Sequence, residues 1–194
     1  MMTRSSQNNT IASIKDLNVS FSNGKQKNQV LHDVNFDIFQ NEILAVVGES
    51  GSGKSTAIRS LDPAETFVYN VANKPLPFRG WKKKYQYDGE SMNMSKQNTP
   101  LGLHNSIIKL LNAKPEIKNI IIDDFQYLMA FEYMNQADVK GYDKFVKLAK
   151  QIYDIIKFTL TELPDDIFVV FLSHAEESVD MDGRRKIKAK TIGK

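Results

Sequence analysis

The stretch "ILAVVGESGSGKST", residues 43–56, decides the fold. Ile43–Val47 is a continuous apolar run, the pattern of a strand buried on both faces of a sheet. Gly48 to Ser55 then satisfies G-x-x-x-x-G-K-[ST] in full, with a helix expected to follow. Glycines in this loop let backbone amides turn inward at angles that larger side chains resist. Together with the start of the next helix, those amides form a cradle for an anion. The pattern therefore assigns Gly48, Glu49, Ser50, Gly51, Ser52, Gly53, Lys54, Ser55 and Thr56 to a nucleotide site. Lys54 is expected to place its charge on the β- and γ-phosphates of ATP, and the Ser55 hydroxyl to ligate Mg²⁺.

Upstream, Leu17, Val19 and Phe21 alternate with polar residues, as do Val34, Phe36 and Ile38. A polar turn over Ser22–Asn28 joins them, so an antiparallel hairpin is expected over residues 11–42. Residues 1–10 read as a loose tail. Downstream, the helix after the loop should stop near Asp62-Pro63, and Phe67–Val71 reads as a strand. Residues 72–99 show no clear period. Leu101–Leu111 has helical spacing, and so has the longer run from Phe145 to Leu163. Ile117–Ile122 and Ile167–Leu172 are apolar strands that end in Asp123-Asp124 and Ser173-His174. Strands alternating with helices predict a three-layer α/β sandwich with a mainly parallel sheet over residues 43–194, and a single domain over 11–194.

The strand ends carry the remaining chemistry. Ligands of open α/β sheets sit at the carboxyl edge. Asp123 is placed there to hold Mg²⁺ with Ser55, and Asp124 to orient the attacking water, with Glu65 and Glu132 as alternatives. Asp124 could instead cap a following helix. If the strand 167–172 lies beside the first one, Ser173 and His174 both point at the γ-phosphate as sensors.

Composition narrows the class. The chain has 194 residues, one domain's worth, and 41% of them are hydrophobic, enough for a core. It has no cysteine, which excludes disulfides, Cys-ligated zinc and thiol nucleophiles. No apolar run approaches the roughly 20 residues that span a bilayer, and no signal peptide pattern opens the chain, so a cytoplasmic protein is expected. The net charge is +3, but residues 181–194 alone carry six basic groups and one acid. Positive charge is therefore local. Arg79, Trp81, Lys82, Lys83, Lys84, Tyr85 and Tyr87 form a second basic stretch with interleaved aromatics. Such stretches can bind single-stranded DNA through phosphates and base stacking, or be solvated surface.

Two resemblances meet at the glycine loop. Residues 11–56, "IASIKDLNVSF…VLHDVNFDIFQNEILAVVGESGSGKST", resemble the start of ABC-transporter ATP-binding subunits of the peptide-importer kind. That resemblance implies that Phe21 stacks on adenine, although Phe21 also fits the inward face of an alternating strand, and that a membrane permease is the partner. No LSGGQ-like signature follows, and Asp124 stands where that family has glutamate. From the loop onward, "KPLPFRGWKKKY", "IKNIIIDDFQYLM", "GYDKF", "FLSHAEE" and "GRRKIKAKTIGK" resemble phage-encoded RecA-core ATPases of the AAA type, some linked to recombination and annealing. This implies an ATPase coupled to single-stranded DNA and working as a homo-oligomer, with Arg184 or Arg185 as a finger toward a neighbour's phosphate. Such chains usually continue into further strands, so a last core strand is expected to be missing or borrowed. Nucleotide binding without turnover, in a truncated or chimeric chain, is the third expectation.

Overall fold

A computed structural model describes residues 10–22, 24, 27–39, 44–179 and 182–190. The expected tail lies outside the described residues except for Thr10. Contacts divide the chain into two compact units, Met1–Glu42 and Ile43–Lys194.

The first unit is the hairpin that the alternation predicts, with β1 (Thr10–Ser22) antiparallel to β2 (Lys27–Phe39). Leu17 lies opposite Val34, and Ile14 opposite Phe36. Between these pairs the register shifts, and Asp16 and Asp33 adopt left-handed φ values of 48° and 47°. Short polar side chains tolerate that region because they hydrogen-bond locally. Here the Asp16 amide donates to Asn35 Oδ1 at 2.8 Å, and Asn18 Nδ2 donates to Asp33 Oδ1 at 2.9 Å.

The second unit is the α/β sandwich. β3 (Leu44–Gly48) leads through the glycine loop into α1 (Lys54–Ala57) and a 3₁₀ turn over Ile58–Ser60. β4 (Thr66–Asn70) follows, then the short α2 (Trp81–Lys84) and β5 (Met94–Ser95). α3 (Pro100–Ala113) starts with proline in its first turn and Thr99 at its N-cap, whose hydroxyl accepts from the Gly102 amide. β6 (Asn119–Asp123), α4 (Gln126–Asn135), α5 (Asp143–Thr161), β7 (Phe168–Val179) and β8 (Arg185–Ala189) complete it. The sheet order is β3-β7-β6-β4-β5, with every neighbour parallel.

Side-chain alternation along the central strands separates two cores. Phe67, Tyr69, Ile120, Ile122, Val169 and Phe171 point to one face, where Leu103, Ile107 and Leu110 of α3 and Ile155 and Phe158 of α5 cover them. Val68, Ile121, Val170 and Leu172 point to the other, against Ile58, Leu76, Phe78, Tyr85 and Met94. The carboxyl ends of β3, β4, β6 and β7 converge on one edge, and that edge carries the site.

Two expectations need correction, and one strand was not expected. β3 is not buried on both faces. It ends the sheet order, and among the described residues no strand pairs with its free side. Leu44 and Val46 pack into the second core, while Ala45 and Val47 are exposed because the helices of the first core lie over β4, β6 and β7. The unexpected strand is the basic segment 185–189. It pairs antiparallel with the distal half of β7, Ala175 opposite Ala189 and Val179 opposite Arg185. Tyr85 is not an exposed stacking surface. It is 1% exposed, and its hydroxyl donates to the Ile58 carbonyl at 3.0 Å. Tyr85→Phe removes that bond while the Leu61 amide still donates to the same carbonyl at 3.2 Å, so urea denaturation should show a loss of about 0.5–1.5 kcal/mol. An unshifted midpoint would show that the buried bond contributes nothing.

Candidate functional site

The loop is shaped by its glycines at two points. Gly53, the N-cap of α1, has φ 93°, in the left-handed region. At Gly48 a Cβ would come within 2.9 Å of Ser52 Oγ, so a side chain there would close the loop. Lys54 folds back over this loop. Its ammonium donates to the carbonyls of Gly48 and Glu49, both at 2.7 Å, and to Ser52 Oγ at 3.1 Å. Burial pushes the Lys54 pKa down, against the pull of Asp124 and Asp123. These three bonds are the ones a phosphate would replace.

Ser55 and Asp123 come together as well. Ser55 Oγ donates to Asp123 Oδ1 at 2.8 Å across 68 residues of chain. Asp123 is 5% exposed. Burial pushes its carboxyl up to about 6, with the Ser55 hydrogen bond opposing and the Asp124 charge adding to the rise. The two oxygens are hard donors. Among the described residues no group of three or more His, Cys, Asp or Glu could hold a metal. Two hard oxygen donors suit Mg²⁺, which keeps water and phosphate ligands beside a few protein ones.

Asp124 follows in a left-handed conformation, φ 62°. It does not cap α4, whose N-cap is Phe125. Its carboxylate instead accepts from Lys74 Nζ at 2.9 Å and Gln126 Nε2 at 3.4 Å, and lies 3.1 Å from His174 Nε2. Gln126 Oε1 in turn accepts from the His174 amide at 3.1 Å and from Ser173 Oγ at 3.3 Å. One buried glutamine thus ties α4 to the end of β7.

β7 does lie beside β3, with Val47 opposite Ser173 and Gly48 opposite His174. The expectation that both side chains face the phosphates is nevertheless corrected for Ser173. Successive residues of a strand point to opposite faces. His174 lines the cleft, whereas the Ser173 hydroxyl is buried against Gln126.

The cleft has a volume of about 290 Å³. Ser50, Gly51, Gly53, Lys54, Ser55 and Thr56 line it from the loop, and Asp123, Asp124, His174 and Lys74 from the strand ends. Glu65 and Glu132 do not line it, and Glu132 accepts from Gln136 within α4. Arg184 sits at the β7–β8 turn, away from the cleft. The side chains of Phe21 and Arg185 lie outside the described residues, as does Lys194. Of the basic loop, Arg79, Lys82 and Lys83 are exposed, Trp81 packs partly into the second core, and Lys84 donates to the Arg59 carbonyl at 2.6 Å.

Sequence reasoning missed Lys74 and Gln126. The stretch "KPLPF" drew attention without suggesting a role for its lysine. No local pattern marks either residue, because their partners are 50 and 47–48 positions away.

A loop serine bonded to a strand-end aspartate, beneath a cradle that its own lysine now fills, places this α/β fold in the P-loop NTPase class. The sequence comparisons are consistent with that class. The family model for ABC transporters matches residues 31–122, which extends beyond the glycine loop to the end of the Ile120–Ile122 run. The chain is 34% identical over 97 residues to the Fe(3+) ions import ATP-binding protein FbpC 2 of Haemophilus influenzae, covering 49% of this chain and 23% of the relative. It is 46% identical over 61 residues to the phosphate import ATP-binding protein PstB of Malacoplasma penetrans, covering 31% of this chain and 20% of the relative. The chain thus spans about a quarter or less of the length of these relatives. Among solved structures, a KaiC-like protein from Pyrococcus horikoshii aligns over 79% of this chain and 80% of its own, with a TM-score of 0.46 and 9% identity.

Proposed function

We propose that the chain is a magnesium-dependent ATPase that cleaves the β–γ bond by in-line attack of water. The observation that carries this is the 2.8 Å contact between Ser55 Oγ and Asp123 Oδ1 under the loop. Lys54 exchanges its three loop bonds for phosphate oxygens. Ser55 and Asp123 would hold Mg²⁺, which when bound supplies positive charge that offsets the charge of the phosphates. Asp124 orients the water, and His174, in contact with Asp124, reports the γ-phosphate.

Hydrolysis is read as serving single-stranded DNA. Lys186 and Lys188 share one face of β8, Arg184 and Lys190 flank the strand, and Arg79, Lys82 and Lys83 are exposed around α2. The resemblance of residues 48–194 to recombination-associated ATPases points the same way. Single-stranded DNA is expected to raise ATP turnover, with an effect that fades as salt rises from 50 to 200 mM, since phosphate contacts release counterions. Light scattering with ATP and DNA should then show a homo-oligomer.

The family match over residues 31–122 favours a second reading, an ATP-binding subunit that energises transport through a membrane permease. Turnover indifferent to DNA at every salt concentration, with capture of permease subunits, would establish that reading in place of the first.

A further inference from the structure

We propose that Lys74 is a second phosphate-binding cation, supplied by the same chain, that distinguishes a bound triphosphate from a diphosphate. This rests on the nucleotide site above. Three observations carry it. Lys74 lines the same cleft as Lys54, Ser55 and Asp123, reached from the opposite side by the connection after β4.

Its backbone is fixed. Asn70, 1% exposed, accepts from the Lys74 amide at 3.1 Å and donates to the Lys74 carbonyl at 2.6 Å, and the same Nδ2 donates to Tyr87 Oη at 2.9 Å. Asn73 turns the chain with φ 52°, and Pro75 follows directly. One buried amide thus closes a rigid turn that aims a single lysine.

Its head, by contrast, reaches solvent. The side chain is 51% exposed, held by Asp124 Oδ2 at 2.9 Å and by the Tyr127 ring, whose centroid lies 4.5 Å from Nζ. Burial alone would lower its pKa, but the hydrogen bond and charge of Asp124 raise it above the ordinary lysine value. A fixed base under a half-exposed cation suits a group that exchanges one anionic partner for another.

The change of partner follows from charge. A terminal phosphate entering the cleft meets the Asp124 carboxylate, and two anions repel unless a cation stands between them. Lys74 is that cation. Its move toward the γ-phosphate also frees an acceptor on Asp124, which is otherwise committed to Lys74, Gln126 and His174. A diphosphate lacks the terminal group and leaves the Lys74–Asp124 pair intact.

The test compares affinities for ADP and for a non-hydrolysable ATP analogue, each with magnesium, by calorimetry on the full chain. Lys74→Gln should weaken the analogue by about tenfold, the size of one charge-assisted hydrogen bond, and ADP by less than about twofold. Lys74→Arg should keep the wild-type preference to within about threefold. Equal losses for both nucleotides, or no loss for either, overturn the inference and leave the site reading standing. A wild-type chain that binds neither nucleotide overturns both.

Discussion

Lys54→Ala is expected to lower phosphate release from ATP by at least ~100-fold, the scale for removing one preorganised group from a transition state. This ammonium donates to its own loop, to the Gly48 and Glu49 carbonyls and Ser52 Oγ. It supports no distant part of the fold, so circular dichroism should show an unchanged protein. Lys54→Arg should not rescue activity. The planar guanidinium is larger than the compact ammonium that fits among the two carbonyls and one hydroxyl. Steady-state release that survives Lys54→Ala within tenfold would remove the assignment of the loop as the ATP site.

Asp123→Asn is expected to move stability and activity in opposite directions. The Asp123 carboxyl titrates near 6 in the fold, against 3.8 for the free group. As pH rises the unfolded chain loses its proton first, so the folded state loses stability between about pH 4 and pH 6. Above pH 6 the cost is complete, and below 3.8 it is absent. Asparagine has no such charge to bury and can still accept from Ser55 Oγ. The variant should therefore be more stable than the wild type at pH 8 by about 1–3 kcal/mol, with the gap closing toward pH 4. Magnesium-supported turnover should fall ~100-fold in the same variant. A melting temperature at pH 8 that is unchanged or lower in the variant would show that the buried charge is not a cost to the fold.

Much of this arrangement was legible in the chain. The loop motif needs its residues at fixed spacing, so residues 48–55 could be read directly. β4, β6 and β7 are short apolar runs, and α3 and α5 keep a helical period. What was not legible depends on neighbours. An apolar run such as 43–47 looks the same at the centre of a sheet as at its end, so the exposure of Val47 had no local sign. Tyr85, among lysines, resembles a surface aromatic until Ile58 and Met94 are brought against it. Lys74 and Gln126 become parts of the site only when β4, β6 and β7 align. The pairing of β8 did leave a trace, since Ile187 and Ala189 alternate with Lys186, Lys188 and Lys190, but the charges masked it.

β7 runs without a break from the centre of the parallel sheet, past His174, into the ribbon with β8. That continuity limits which lineages of this chain can survive. A point substitution in β7 alters one contact, but insertion or deletion of a single residue between Leu172 and Ala175 shifts everything beyond it by one position. His174 and Ser173 would trade faces, and every cation on β8 would meet a different partner on β7. Length variation among descendants should therefore collect in the turns around Gly89, Gly141 and Gly183 and spare this strand, whatever happens to its individual side chains.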